Sequence, residues 1–281
     1  MPEPDREARD REPPKCETLF AGPWYGEFGH ELFWQGIVRH RSHGYARTVV
    51  CSKPSSAALY RDFADEFIPH DIVCEGMVAG ATRATQPAAK KVLSYVPEDA
   101  HRWQGCEYTP AFKAEFVRYG VPDPAYMGCV VLHARNRRHV PARNWPQDQW
   151  NRLARWLIRE DIADRLVCLG TQDEALAVEG ACDMRGAALD QQMNVLASAL
   201  FAVGPSSGGM HLASLCGCPH VVWCGGPASE WRRTKGRYDK TWNPHKTLVY
   251  AHPHASWQPP FATAQKWVRE FLKVVYARKA R

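Results

Sequence analysis

The sequence lacks any hydrophobic run that reaches the roughly 18 residues needed to cross a membrane. Its first fifteen residues (MPEPDREARDREPPK) lack the apolar segment of a secretory signal. The composition lacks a strong bias, with 45% hydrophobic and 23% charged residues among 281, which excludes a chain that is disordered throughout. We therefore expect a globular, cytoplasmic protein without a transmembrane segment, in which residues 1–17 form a disordered tail.

Signatures of structural disulfides and of metal centres are also missing. The ten cysteines are scattered along the chain. Several stand inside apolar runs: Cys51, Cys129, Cys168 and Cys224. This placement is typical of buried free thiols in a reducing compartment. Cys216 and Cys218 with His220 match no zinc-ligand spacing, so no metal site is predicted.

What the chain does contain is an alternation of strand and helix patterns. Residues 18–22 (TLFAG) predict a buried strand, and a helical apolar period begins at Glu27. A second strand (ARTVVCS) and a second helix (SSAALYRDFADEF) follow, and the alternation resumes at Gly128. This pattern predicts an α/β protein with two Rossmann-like, doubly wound parallel-sheet domains, 18–125 and 126–262, and a final helix over 263–281.

The most informative motif is FAVGPSSGGMH, residues 201–211. A predicted buried strand ends at Gly204 and a helix begins shortly after, so free backbone N–H groups and the positive end of a helix dipole point at one spot. The small residues allow a phosphate to approach the backbone closely. Five residues are therefore predicted to hold an anion: Ser206, Ser207, Gly208, Gly209 and His211. A tight turn that binds no ligand is the alternative, and no GxxxxGK[ST] motif is present.

A basic loop follows the first strand of the second half, and it contains Arg135 and Arg143. Loops that follow parallel strands converge on one crevice in a doubly wound sheet, so these guanidinium groups are predicted to clamp phosphates. The net charge of +6 suits an anionic partner. A solvated basic loop is the alternative, and for the charges of the last helix a solvated surface is the preferred interpretation.

From His133 to Pro227 the chain resembles the C-terminal domain of the heptosyltransferase-type (glycosyltransferase family 9) enzymes. The resemblance rests on RNWP at 143–146, LVCLG at 166–170, VGPSSGGMHLA at 203–213 and GCP at 217–219. The third piece resembles the D-[ST]-G-x-x-H-[LI]-A turn of that family, with Ser206 in place of the usual Asp. The resemblance implies a GT-B fold whose two domains face a cleft, with the final helix packed back on the N-terminal domain.

The same resemblance implies roles for individual residues. Ser207, Gly208 and His211 would hold the diphosphate of the donor, and Arg143 would be a basic phosphate contact. Glu27 stands where the family has an acidic residue that takes the proton of the acceptor hydroxyl.

The helical spacing and the next strand add further candidates. His30 and Glu31 lie at i+3 and i+4 from Glu27 and are predicted to share its helix face, as further catalytic candidates. A Glu27 side chain that only caps the helix is the alternative. Gly225 and Glu230 are predicted to line the donor site, with Glu230 on the ribose hydroxyls.

Together these features predict a metal-independent hexosyl- or heptosyltransferase that moves a sugar from a nucleoside-diphosphate sugar to an acceptor hydroxyl. The donor is a substrate, and no cofactor is predicted. A saccharide acceptor is favoured over a nucleic acid. Three alternatives stay open: a sugar-nucleotide epimerase of the same architecture, a non-catalytic nucleotide or glycan binder, and a glycosyltransferase that acts on a modified nucleic-acid base.

Overall fold

The structure is a computed structural model that describes residues 17–72, 96–103 and 113–279. Contacts between Cα atoms divide the chain into two compact units, Met1–Phe116 and Val117–Arg281. Each unit is built on a parallel β-sheet. The predicted α/β class with two parallel-sheet halves is confirmed.

The first unit carries a four-stranded sheet in the order β3-β2-β1-β4, with every pairing parallel. Its elements are β1 (Thr18–Ala21), α1 (Phe28–Ser42), β2 (Arg47–Ser52), a 3-10 helix (Pro54–Leu59), β3 (Glu66–Pro69) and β4 (His101–Trp103). Helix α1 begins where the apolar period predicted it. It buries Leu32, Ile37 and Val38 because these residues recur at helical spacing.

The predicted second helix, SSAALYRDFADEF, is wrong. Only a 3-10 helix forms at Pro54–Leu59, and Glu66–Pro69 is a strand that pairs with β2. Two acidic side chains explain the early end. Asp62 binds the Arg39 guanidinium, and the Asp65 carboxylate accepts a hydrogen bond from the Thr48 amide. These contacts hold residues 60–65 in a turn, after which the chain pairs with β2 as strand β3.

The second unit carries a six-stranded parallel sheet in the order β10-β9-β8-β5-β6-β7. The strands are β5 (Val130–Leu132), β6 (Leu166–Cys168), β7 (Cys182–Asp183), β8 (Phe201–Pro205), β9 (His220–Gly225) and β10 (Val249–His254). The chain winds outward from β5 through β7 and then returns to β8 on the other side of β5. The strand order therefore reverses between β5 and β8, the position at which such sheets bind ligands.

Five α-helices lie between or after these strands in the described part of the unit. They are α2 (Gln147–Arg159), α3 (Leu189–Ser198), α4 (Gly208–Leu215), α5 (Ala228–Gly236) and α6 (Phe261–Lys279). Helix α2 buries Trp150, Leu153 and Leu157 at helical spacing. Its tryptophan joins an aromatic cluster in which the ring centroids of Trp145 and Trp223 are 5.4 Å apart. This core fixes the loops at the carboxyl edge of the sheet.

The last helix behaves as its pattern predicts within the second unit. Trp267, Phe271 and Val275 recur four residues apart and are buried in the same core as Trp223. The Phe271 ring lies 5.4 Å from the ring of Phe201 in β8. The packing of this helix on the first domain, which the family resemblance implies, stays a prediction.

The stretch that contains Arg232, Arg233, Arg237 and Trp242 predicts a long loop before β10, and this prediction is wrong. Residues Ala228–Gly236 form α5, and a π-helix continues over Arg237–Thr241. The segment has no strong apolar period. Instead, Glu230 pairs with Arg233 and Lys235 pairs with Asp239 at helical spacing. Charge pairs of this kind support a helix that a hydrophobic pattern does not reveal.

The cysteines predicted to be core thiols are free and buried, as at Cys51, Cys129, Cys168 and Cys224. Burial raises the pKa of the Cys51 and Cys129 thiols to about 12. These groups therefore stay protonated and unreactive at neutral pH. Within the described ranges, no helix has the length and apolar character that a membrane span requires.

Candidate functional site

The turn between β8 and α4 lies at the point where the strand order reverses. Ser206 follows the strand directly, and Ser207 occupies the N-cap position of α4 in an extended conformation. Helix α4 begins at Gly208, so the first amides of the helix open at the carboxyl edge of the sheet. The predicted strand, turn and helix are confirmed.

Ser207 does not perform the usual task of an N-cap serine. Its hydroxyl normally accepts a hydrogen bond from an amide in the first helical turn. Here the Ser207 side chain makes no capping hydrogen bond. The Ser207 Oγ is buried and has no hydrogen-bond partner in the described part of the chain. Free amides at a helix N-terminus favour an anionic acceptor of hydrogen bonds, and anion binding by Ser207, Gly208 and Gly209 stays a prediction.

Ser206 is buried in the protein interior. Its side chain is 5% exposed, and the Tyr238 hydroxyl lies 3.4 Å from its Oγ. Its carbonyl accepts a hydrogen bond from the Arg143 guanidinium. The structure therefore places Ser206 under the turn, where it supports Ser207, and donor contact by Ser206 stays a prediction.

Arg143 joins the basic loop to this turn. Besides its bond to the Ser206 carbonyl, its guanidinium carbon lies 4.1 Å from the ring centroid of Trp257. The indole face holds the guanidinium plane in one orientation. Arg143 therefore sits beside the uncapped amides of α4 with its charge oriented. No local pattern indicates that Trp257, which follows β10 far along the chain, belongs to this region.

Arg135 is placed differently. It is 3% exposed, and its guanidinium donates to the carbonyls of His139 (2.7 Å) and Val140 (3.3 Å). It also donates to the Asn144 side chain. These contacts lie inside its own loop, so the structure shows Arg135 ordering the loop, and its contact with a phosphate stays a prediction.

His211 is enclosed by aromatic rings. It is 4% exposed, its ring centroid is 4.5 Å from that of Tyr238 in a stacked arrangement, and it is 3.9 Å from that of Trp242 in an edge arrangement. Both partners come from the π-helix and its end, which the sequence pattern did not reveal. The aromatic rings fix the imidazole one turn below the N-terminus of α4.

His133 lies against the turn before α4, although no local motif singled it out as a candidate. It follows β5, on the other side of the reversal point from Ser207. A Cβ atom on Gly209 would lie 2.4 Å from the Cε1 atom of the His133 ring. Burial, aided by the Arg135 charge, lowers the pKa of His133 to about 4. The neutral ring therefore lies directly against the first turn of α4.

Gly225 and Glu230 follow the next strand. A Cβ atom on Gly225 would lie 2.2 Å from the Trp257 amide nitrogen, so glycine is required for this close approach. Glu230 lies in the first turn of α5 and is paired with Arg233. Gly225 thus helps to seat Trp257 under Arg143. Donor contacts by Gly225 and by Glu230 stay predictions.

In the first unit, Glu27 occupies the N-cap position of α1, but its side chain makes no capping hydrogen bond. Its position at the helix N-terminus still suits its negative charge, so the alternative that Glu27 serves only the helix stays open beside the catalytic prediction. The loop before it is anchored by the side chains of the residues that directly follow β2 and β3. Lys53 Nζ donates to the Gly26 carbonyl (2.7 Å), and His70 Nε2 bonds to the Trp24 carbonyl (2.8 Å). Glu27 and His30 are both half-buried.

Glu31 is separated from Glu27 by burial. Its carboxylate is fully buried and accepts hydrogen bonds from the hydroxyls of Ser52, Ser56 (2.9 Å) and Tyr60 (2.9 Å). Burial raises the pKa of the Glu31 carboxyl above its ordinary value, and the three hydroxyl donors oppose the shift. The geometry gives Glu31 a structural position between α1 and the end of β2, and its catalytic role stays a prediction.

Metal-ligating side chains do not cluster in the described part of the chain, in which no group of three or more such residues is found. His220, near Cys216 and Cys218, is fully buried and bonds to the Cys218 carbonyl at 2.9 Å. Burial lowers its pKa to about 4. The environment of these three residues is that of a packed core.

Two parallel-sheet units with connecting helices define an α/β fold. The fold is similar to that of E. coli ADP-heptose lps heptosyltransferase II, with a TM-score of 0.60 and 15% identity, over 94% of this chain and 100% of that one. It is also similar to a glycosyl transferase family 9 protein from Veillonella parvula, with a TM-score of 0.53 and 10% identity, over 91% of each chain.

A third similar structure is a putative UDP-N-acetylglucosamine 2-epimerase from Listeria monocytogenes, with a TM-score of 0.50 and 11% identity, over 92% of this chain and 88% of that one. No protein-family model and no curated protein sequence matches the chain. The comparisons show the fold: it is that of the heptosyltransferases and is of the GT-B type.

Proposed function

We propose that the protein is a glycosyltransferase that uses a nucleoside-diphosphate sugar as its donor. The observation that carries this proposal is the buried Ser207 hydroxyl, which has no partner in the described residues and lies beside the uncapped first turn of α4. It stands at the reversal point of a doubly wound sheet, where ligands of this fold bind. The fold similarity to heptosyltransferases supports the same conclusion.

The donor diphosphate would accept hydrogen bonds from the α4 amides and from Ser207, with the Arg143 charge beside it. As the bond between the anomeric carbon and the phosphate oxygen breaks, negative charge grows on that oxygen. Oriented amides and a fixed guanidinium stabilise such charge without reorganisation. Because these groups supply the positive potential, we propose that transfer does not require a metal ion.

The acceptor hydroxyl oxygen forms the new bond to the anomeric carbon, and the nucleoside diphosphate leaves with the electron pair of the broken bond. We propose that the proton of the acceptor passes to the Glu27 carboxylate. A carboxylate within reach of a reacting hydroxyl acts as a general base in this way. The anchors from Lys53 and His70 would keep the loop that carries Glu27 in place.

The donor nucleotide is proposed by analogy. The first similar structure is named for ADP-heptose, so we propose an ADP-sugar as the first donor to test and a saccharide as the acceptor. A sugar-nucleotide epimerase is the second candidate, because the fold is also similar to that of a putative 2-epimerase. Conversion of a sugar nucleotide into its epimer without any acceptor would support the epimerase instead.

The test is a comparison of Glu27→Gln with the wild-type protein, using ADP-, UDP-, GDP-, CMP- and dTDP-sugars in the presence of a chelator. Donor binding, followed by thermal shift, is expected to be the same for both proteins. Transfer to a saccharide mixture, followed by release of nucleotide, is expected only for the wild type. Normal turnover by Glu27→Gln would overturn the assignment of the base, and dependence on added metal would overturn metal independence.

A further inference from the structure

The loop that carries Arg143 contains a strained residue. Val140 adopts the left-handed conformation, with φ 53° and ψ 65°. A β-branched residue is rarely found there because its Cβ atom crowds the following carbonyl. Val140 is 38% exposed, so packing in the core does not impose this conformation. Something else in the loop must hold it.

Two polar side chains hold the loop in this shape. The buried guanidinium of Arg135 donates to the carbonyls of His139 and Val140, which flank the strained peptide. The Asn144 amide accepts from the Arg137 amide (3.1 Å) and donates to the Arg137 carbonyl (2.9 Å). Arg135 also donates to the Asn144 side chain, so both anchors form one network.

The strained turn leads directly to Arg143. A 3-10 turn, Pro141–Arg143, starts at Val140, and the Arg143 amide donates to the Val140 carbonyl at 3.1 Å. The Arg143 guanidinium donates to the Ser206 carbonyl and lies over the Trp257 ring. The direction of the Val140 backbone therefore decides whether the Arg143 side chain spans to the turn before α4.

We propose that residues 135–144 form a clamp that is set before the donor binds, in which Arg135 and Asn144 hold Val140 in its strained conformation so that Arg143 is fixed beside Ser207. Arg135 and Val140 are then positioning residues that act through Arg143. This inference rests on the proposed binding of a diphosphate at the Ser207 turn. A preformed clamp raises affinity because its groups need no ordering when the ligand arrives.

The test is Val140→Gly, since glycine adopts the left-handed conformation without strain and also many others. We expect a thermal unfolding midpoint equal to or above that of the wild type. Affinity for a nucleoside diphosphate is expected to fall about tenfold, because the loop must then be ordered on binding. The probe is whichever of ADP, UDP, GDP, CDP and dTDP the wild-type protein binds most tightly.

Asp161→Gly is the matched control. Asp161 also has a positive φ, 55°, and is exposed at the end of α2. Glycine there relieves the same kind of strain without touching the clamp. We expect unchanged affinity for the nucleoside diphosphate, so a loss in both glycine variants would overturn the inference.

A double-mutant cycle with Arg143→Ala separates a positioning role from a general effect. If Val140 acts through Arg143, Val140→Gly has no further effect on affinity when Arg143 is already alanine. If the losses of nucleotide affinity in the two single variants added up in the double variant, the clamp would be overturned. Wild-type nucleotide affinity in Val140→Gly would overturn it as well. Failure of the wild-type protein to bind any nucleoside diphosphate would instead overturn the proposed function, so the two failures are distinguishable.

Discussion

The imidazole of His133 occupies the space that the side chain of residue 209 would fill if that residue were not glycine. His133 follows β5, and Gly209 is in the first turn of α4, on opposite sides of the point where the strand order reverses. The contact links the two loops from which the proposed donor site is built. It also explains why the second glycine of the SSGG turn is needed.

Gly209→Ala is therefore expected to displace the His133 ring, because the new Cβ would lie 2.4 Å from its Cε1 atom. We expect a loss of stability of about 1–3 kcal/mol, typical of overpacking. Affinity for a nucleoside diphosphate is expected to fall about tenfold, which is about 1.4 kcal/mol. Chemical denaturation and calorimetric titration measure the two effects.

Gly236→Ala is the control for this substitution. A Cβ atom on Gly236 would meet nothing within 4 Å among the described residues, and the backbone there is helical. Alanine should stabilise the helix by up to about 1 kcal/mol and leave nucleotide binding unchanged. Wild-type nucleotide affinity in Gly209→Ala would show that the His133 contact has no part in the site.

Glu31 is expected to contribute strongly to the stability of the first unit. Glu31→Ala would leave the buried hydroxyls of Ser52, Ser56 and Tyr60 without their common acceptor. The free energy of unfolding should fall by about 3 kcal/mol, from the unpaired groups and the cavity together. Donor affinity should be unchanged, as measured by titration below the unfolding temperature.

Glu66→Ala is the matched control, since Glu66 pairs with Arg47 at the surface and both side chains are about half exposed. The free energy of unfolding of Glu66→Ala should fall by less than about 1 kcal/mol. If Glu31→Ala unfolded like the wild type but lost all turnover, a catalytic role for Glu31 would be supported instead.

The stability of the second unit is expected to depend on pH through three histidines whose pKa is lowered by burial. Burial lowers the pKa of His133, His220 and His252 to about 4. Their ordinary pKa is about 6.5, so between about pH 4 and 6.5 the unfolded chain binds more protons than the folded one. The free energy of unfolding should therefore fall as the pH falls through this window.

His252→Phe isolates one of these groups. Phenylalanine can keep the stacking on Trp267, whose ring centroid is 4.7 Å from that of His252, but it cannot take up a proton. Denaturant unfolding at pH 7, 5.5 and 4.5 should show a shallower loss of stability for the variant than for the wild type. If stability fell equally with pH in the two proteins, His252 would not contribute to the pH dependence.

Local patterns predicted much of the fold, and their failures have physical causes. Helix α2 was predicted correctly because Trp150, Leu153 and Leu157 recur at helical spacing and form one continuous buried face. Helix α5 was missed because charge pairs rather than an apolar face support it. The SSGG turn was recognisable because strand, small residues and helix are adjacent in sequence.

The candidate site was harder to predict, because its remaining parts come together only in the folded unit. Trp257 reaches Arg143 from the far end of the chain, and His133 meets Gly209 across the sheet. Glu31 looked like a neighbour of Glu27 on one helix face. Three hydroxyls from the β2 side of the sheet draw its carboxylate into the interior, and no helical spacing contains that information.

The proposed diphosphate site at Ser207 is tested by calorimetric titration of ADP, UDP, GDP, CDP and dTDP, with chelator present, into the wild-type protein and Ser207→Val. We expect saturable one-to-one binding of at least one of these nucleotides to the wild type. We also expect a loss of affinity of at least about tenfold in the variant, whose methyl groups replace the hydroxyl beside the α4 amides. Equal binding by both proteins, or no binding of any nucleoside diphosphate to the wild type, would contradict the proposed site.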